Sequence, residues 1–179
     1  PAVDVATLVG HGTVRAAVLG EAFQRTATDA EIASMAMRVE QGMREGAFGL
    51  STGLEYDPGF YSSTGELVAL ARAAAGYGGF YMSHMRDEEE GLLNAVDEAI
   101  RIGREADLPV QISHIKAGNA SVWGSAPVVL ERIQAANDEG LDVTADQYPY
   151  AAWQSGLSIV VRSRQFYNVD SVAAGIFAA

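Results

Sequence analysis

Two histidines carry the first chemical signal in this chain. The sequence holds three histidines in all, and two of them close short apolar runs, Met82-Ser83-His84 and Ile112-Ser113-His114. A lone histidine at a strand end usually hydrogen-bonds a neighbouring loop. Two such rings at the ends of parallel strands converge on one point, where neutral imidazoles are good ligands for Zn2+ or a similar ion. Lys116, the only lysine in the chain, stands two residues past His114. Positions i and i+2 of an extended segment share a side. Its ammonium is therefore either a solvated surface charge or a binder of a substrate carboxylate beside the imidazoles.

Other residues carry two readings each. Glu55, in Gly-Leu-Glu-Tyr, is a solvated loop acid or a hard-oxygen metal ligand. Asp146 caps a turn at the end of its run. Tyr148 and Tyr150 are packing residues, or one of them offers its hydroxyl to a substrate. The acidic run Asp87-Glu88-Glu89-Glu90 is expected to open a helix, where negative charge suits the helix dipole. Arg86 would pair with a carboxylate near the site. His11, boxed by Gly10 and Gly12, is expected to orient a loop.

The elements that must position these residues alternate. Residues 5–10 read as a strand. Residues 29–45 read as a helix, with Asp29 as its cap and Ile32, Met35, Ala36, Val39 and Met43 at helical spacing. Strands are expected at 47–51, 80–84, 109–114 and 141–146, and helices at 64–75, 88–107 and 125–139. Pro127 falls in the first turn of the last helix, where its missing N–H does no harm. Five strands alternating with four helices over short connections predict a parallel α/β sheet. Right-handed crossovers then put every strand C-terminus on one edge. Both an open doubly wound sheet and part of a (β/α)8 barrel fit. Gly10-His11-Gly12-Thr13 is a poor phosphate-binding turn, and chemistry spread over successive strand ends favours the barrel.

Composition excludes several classes. The 179-residue chain is 49% hydrophobic and 20% charged, as globular proteins are. A formal net charge of −11 argues against a nucleic-acid partner. No apolar run approaches the length needed to span a bilayer. The absence of cysteine rules out a disulfide framework and a thiolate metal site within the chain. The cytoplasm is the expected location.

Four segments together resemble the N-acyl-D-amino-acid deacylases (D-aminoacylases) of the amidohydrolase superfamily. They are Gly-Ala-Phe-Gly-Leu-Ser-Thr-Gly-Leu-Glu-Tyr-Asp-Pro-Gly at 46–59, Ser-His-Met-Arg-Asp-Glu at 83–88, Ile-Ser-His-Ile-Lys at 112–116, and Asp-Gln-Tyr-Pro-Tyr at 146–150 with Trp153-Gln154-Ser155. The resemblance implies a TIM-like (β/α)8 barrel of the metal-dependent hydrolase type, with one or two Zn2+ ions and a small-molecule N-acyl-D-amino acid as substrate. It implies that His84 and His114 bind metal, with Glu55 as a further candidate. It implies that Lys116, Tyr148 and Ser155 hold the substrate carboxylate. It also implies amide hydrolysis by an activated water, with proton transfer by an Asp outside this sequence. The family's His-x-His and its Cys ligand have no counterpart here.

On this reading residues 1–150 form the central part of the catalytic barrel and 151–179 begin a following segment or small insertion. The N- and C-terminal parts of the barrel are missing, and the isolated chain is expected to be inactive. Two other readings stand beside it. One is another amidohydrolase, such as a cyclic-imide hydrolase or a dihydroorotase-like enzyme. The other is an inactive α/β fragment that self-associates through exposed sheet edges.

Overall fold

A computed structural model of the chain describes residues 2–156. Five strands form one parallel sheet: β1 (Val9–Gly10), β2 (Gly49–Gly53), β3 (Phe80–His84), β4 (Val110–Ile112) and β5 (Val143–Ala145). Their spatial order is their chain order, β1-β2-β3-β4-β5. A doubly wound sheet reverses direction at a switch point. This one does not, so the described residues form consecutive βα units in barrel order.

Five helices accompany the strands: α1 (His11–Leu19), α2 (Asp29–Arg44), α3 (Thr64–Ala75), α4 (Leu92–Ala106) and α5 (Ala126–Asp138). The sheet register explains how they are held. Leu50, Tyr81, Val110 and Val143 form one row across β2 to β5. All four are buried against the helices. Because strand side chains alternate, the row Ser51, Met82, Gln111 and Thr144 faces the other side. His84 follows Met82 by two residues and lies on that second face, at its C-terminal edge. On the helix side, burying each large apolar chain such as Leu50 or Ile112 contributes roughly 1.5–3 kcal/mol. The polar groups on that face satisfy one another. Thr52 Oγ1 lies 2.9 Å from both the Tyr81 hydroxyl and Ser83 Oγ. Burial pushes the Tyr81 phenol up to about 12, so it remains protonated.

The local signals in the sequence have clear structural causes. Thr28, and not the expected Asp29, caps α2 in a reciprocal capping box with Glu31; Asp29 is the first residue of the helix. The Ser63 side chain accepts from the Glu66 N–H at the start of α3. The strand at 80–84 and the helix at 64–75 lie where their periodicity places them. Three further expectations are corrected. Five helices are present, not four: the segment around His11 is helix α1 rather than a loop. The helix expected from residue 88 begins at Leu92, so Glu88–Glu90 lie in the preceding loop and not in a first helical turn. The strand expected at 47–51 is shifted to Gly49–Gly53.

Helix α1 was hidden because its buried face is half polar, with His11 and Arg15 beside Val14 and Leu19. His11 and Arg15 are both 0% exposed, and both bind the equally buried Glu66 of α3. His11 Nε2 lies 2.8 Å from Glu66 Oε1, and the Arg15 guanidinium pairs with Oε2 and with the carbonyl of Phe23 at 3.1 Å. This cluster locks α1 onto α3. His11 is thus structural, as expected, but its partner is a buried carboxylate.

Burial alone would raise the Glu66 carboxyl. The hydrogen bonds from His11 and Arg15 outweigh burial and hold it below its ordinary value of 4.5. The contribution of this pairing is therefore present above about pH 4.5 and is lost as pH falls through the folded-state value. Replacing Glu66 by Leu would leave the Arg15 charge buried and unpaired. We expect Glu66→Leu to cost about 3–5 kcal/mol in a urea unfolding titration at neutral pH. A midpoint equal to wild type would show that the pair does not hold α1.

Candidate metal and substrate site

The ends of β3 and β4 carry the site. The pairing of Ser83 with Ile112 sets the adjacent strands in register, one residue before His84 and two before His114. The ring centroids of His84 and His114 are 4.7 Å apart, close to the spacing of neighbouring strands. The inner nitrogens, Nδ1 of His84 and Nε2 of His114, are separated by 3.0 Å.

His114 reaches this position through an uncommon backbone. Its φ is +39°, in the left-handed region that few non-glycine residues occupy. Asp146 holds it there. The His114 N–H donates to Asp146 Oδ1 at 2.7 Å, and the Ile115 N–H donates to the Asp146 carbonyl at 2.9 Å. Asp146 thus caps the turn, and its second oxygen accepts from Gln111 at 2.7 Å.

Carboxylates face the outer ring nitrogens. Glu55, in the loop after β2, places Oε2 2.9 Å from His84 Nε2. Glu88, in the loop between β3 and α4, places Oε1 3.3 Å from His114 Nδ1. Glu88 is only 6% exposed. Its loop is pinned from the side, because the Gly118 N–H donates to the Glu88 carbonyl at 2.6 Å. A Cβ at position 118 would stand 2.8 Å from that carbonyl oxygen, so only glycine permits this approach. Lys116 lies between Glu88 and His114. Its ammonium forms an ion pair with Glu88 Oε2 and stands 2.8 Å from His114 Nδ1.

These groups open onto a cleft of about 150 Å3, lined also by Tyr56, Tyr148 and Trp153. The Tyr56 ring packs against His84 with centroids 4.8 Å apart. The Lys116 ammonium is 5.8 Å from the Tyr148 ring centre, within cation–π range. The Tyr148 hydroxyl is buried and makes no hydrogen bond. Burial first, then the Glu88 charge, raises its phenol above the usual value, so it stays a proton donor. Ser155 Oγ is 3.2 Å from the Tyr56 hydroxyl.

Among the described residues His84, Glu88 and His114 form a group able to hold a metal ion, with one donor atom from each lying within 4.8 Å of the others. The donor set fits zinc. Two nitrogens on one tetrahedral zinc ion stand roughly 3.3 Å apart, given Zn–N bonds of about 2.0–2.1 Å. The observed 3.0 Å is close to that separation. An imidazole that ligates through one nitrogen keeps its N–H on the other, and that N–H needs an acceptor. Glu55 Oε2 stands at one outer nitrogen. Glu88 Oε1, buried and accepting no hydrogen bond, stands near the other.

All six residues singled out from sequence, Glu55, His84, His114, Lys116, Tyr148 and Ser155, lie in or beside this cleft. Arg86 does not. It turns to α4 and pairs with Glu98 through two bonds of 2.8 and 3.0 Å. Sequence reasoning missed Glu88 and Tyr56, and also Glu89 and Gly118, which line the cleft beside them. Glu88 was read as a helix-dipole residue, although its place two residues after Arg86 in Ser-His-Met-Arg-Asp-Glu was visible. Tyr56 gave no signal beyond its place beside Glu55. Most of the segment expected at 151–179 lies outside the described residues.

If Asp146 holds the strained turn, Asp146→Ala is expected to speed hydrogen exchange at the His114 amide while leaving core amides such as Tyr81 unchanged. Equal His114 protection in both proteins would mean that the turn is held by other contacts.

No protein-family model matches the chain. A D-aminoacylase from Alcaligenes xylosoxydans xylosoxydans is 45% identical over 151 residues, which cover 84% of this chain and 31% of that protein. The crystal structure of a D-aminoacylase that defines a novel subset of amidohydrolases superposes with a TM-score of 0.79 at 43% identity, over 84% of this chain and 31% of that one. An N-acyl-D-glutamate deacylase from Bordetella bronchiseptica, solved with zinc and a phosphonate mimic of the tetrahedral intermediate, gives a TM-score of 0.81 at 37% identity over the same shares. The chain thus spans about a third of the length of the relatives it matches. In sequence and in fold it is similar to the N-acyl-D-amino-acid deacylases of the amidohydrolase type, over five consecutive strands of the barrel and the helices between them.

Proposed function

We propose that this chain is the metal- and substrate-binding middle portion of a zinc-dependent hydrolase that cleaves N-acyl-D-amino acids to a carboxylate and a D-amino acid. The observation that carries this reading is the pair of inner imidazole nitrogens, 3.0 Å apart, in a cleft that also holds an ammonium and a phenol. His84 would ligate through Nδ1 and His114 through Nε2. Glu55 would accept the outer N–H of His84 and fix that ring. A zinc ion held there supplies Lewis acidity toward the acyl carbonyl and lowers the pKa of a water.

The remaining residues bind and orient. The Lys116 ammonium is already beside the cleft and has three N–H donors. The Tyr148 hydroxyl is a buried donor with no acceptor. An α-carboxylate placed between them would meet a charge-assisted bond and a neutral one, which fixes the amide relative to the metal. Ser155 would add a hydroxyl through its contact with Tyr56. Tyr56 and Trp153 give the cleft apolar walls that limit water.

Calorimetric titration of Zn2+ into the chain is expected to show binding that disappears in a His84→Ala/His114→Ala double variant. Equal binding by both would place the metal elsewhere. In the full-length protein, N-acetyl-D-amino acids are expected to be hydrolysed and cyclic imides not; the reverse preference would favour the cyclic-imide reading. Lys116→Met is expected to raise KM far more than it lowers kcat, because the ammonium binds a part of the substrate that does not react. A change confined to kcat would remove Lys116 from the carboxylate site.

One observation favours self-association of the isolated chain. Trp123 and Leu130, just before and on α5, are 60% and 64% exposed. Sedimentation at several concentrations tests this, and a monomer throughout would end it.

A further inference from the structure

His114 Nδ1 faces two partners of opposite demand. The Lys116 ammonium, 2.8 Å away, offers a proton, and Glu88 Oε1, 3.3 Å away, accepts one. A His114 that ligates through Nε2 carries its hydrogen on Nδ1. An ammonium and an N–H cannot donate to each other, so the N–H must turn to Glu88. Glu88 is suited to this. Its Oε1 is buried and accepts no hydrogen bond, and its Oε2 already holds Lys116. The loop that carries it is clamped by Gly118.

We propose that Glu88 is the positioning residue that joins the metal half of the site to the substrate half. Its Oε1 takes the outer N–H of His114, and its Oε2 holds the Lys116 ammonium. The inference rests on the proposed function in taking His114 as a ligand and Lys116 as the carboxylate binder. One buried carboxylate then serves two donors at once. Each donor has its own oxygen, so the loss of one leaves the bond of the other in place. Lys116 need not leave Glu88 to meet a substrate. One of its three N–H groups serves Oε2 and the others remain for the cleft. The Lys116 ammonium is thereby kept in reach of Tyr148 instead of extending into solvent. Outer carboxylates on metal-binding imidazoles commonly govern metal affinity by ten- to a hundredfold.

The test is a square of four full-length proteins: wild type, Glu88→Gln, Lys116→Met and the double variant. Zinc affinity is measured by competition with a chromogenic chelator, with circular dichroism as the check on folding. A carboxamide has one oxygen for two donors. Glu88→Gln is therefore expected to weaken zinc binding by about tenfold or more. Lys116→Met should leave zinc affinity unchanged. In the double variant the carboxamide oxygen is free for His114, so zinc affinity should recover toward wild type. A merely structural glutamate gives no such recovery. KM for an N-acetyl-D-amino acid should rise in all three variants.

Unchanged zinc affinity in folded Glu88→Gln overturns the proposal. So does a double variant that binds as weakly as Glu88→Gln, or a Lys116→Met loss equal to that of Glu88→Gln. The expected zinc pattern without any turnover would instead reject the deacylase reading and leave the bridge standing. Wild type that binds no zinc rejects both.

Discussion

The pairing of β3 with β4 is the constraint from which the site follows. Parallel strands repeat at about 4.8 Å, and residues in register at their C-terminal ends are held at that spacing. With Ser83 opposite Ile112, the register sets His84 beside Ser113, and the left-handed turn at His114, one residue further on, brings its ring to His84. The 4.7 Å between their ring centroids depends on that turn as well as on the strand pairing. The helix-facing row of Leu50, Tyr81, Val110 and Val143 fixes that register, since a slip of one residue would turn this apolar row out of the core.

Around this pair the chain places charge in layers. Glu55 and Glu88 stand on the outer nitrogens, and Lys116 balances Glu88. Asp146 acts one step further out, on the His114 backbone, and supports a conformation that the residue alone would leave. A site so arranged has few charged groups, each held by a neighbour. The distant cluster of His11, Arg15 and Glu66 obeys the same rule in the interior, where each buried charge meets its opposite.

Homology and geometry support the same reading by independent routes. The match covers 31% of the relatives' length, so the segment carries part of a barrel. On the proposed reading, this part would hold the junction between metal and substrate carboxylate. A site that distinguishes the configurations of an amino acid needs its carboxylate and amide contacts rigid, because only then do the two enantiomers differ in where the side chain falls.

The sequence by itself determined the alternation of strands and helices, the strand ends that carry chemistry, and the pairing of His84 with His114. These are local: apolar spacing, caps and the residue after a strand depend on near neighbours in the chain. It did not reveal α1, because His11 and Arg15 occupy its buried face and break the apolar pattern that marks a helix. It did not reveal Glu88 either. An acidic run before a helix looks the same whether it faces water or the site. Only the tertiary structure decided that, by starting α4 at Leu92 and clamping the preceding loop against Gly118. The choice between a barrel and a doubly wound sheet was likewise beyond local pattern, since both alternate strand and helix. Strand order settled it, and strand order is a property of how distant segments pack.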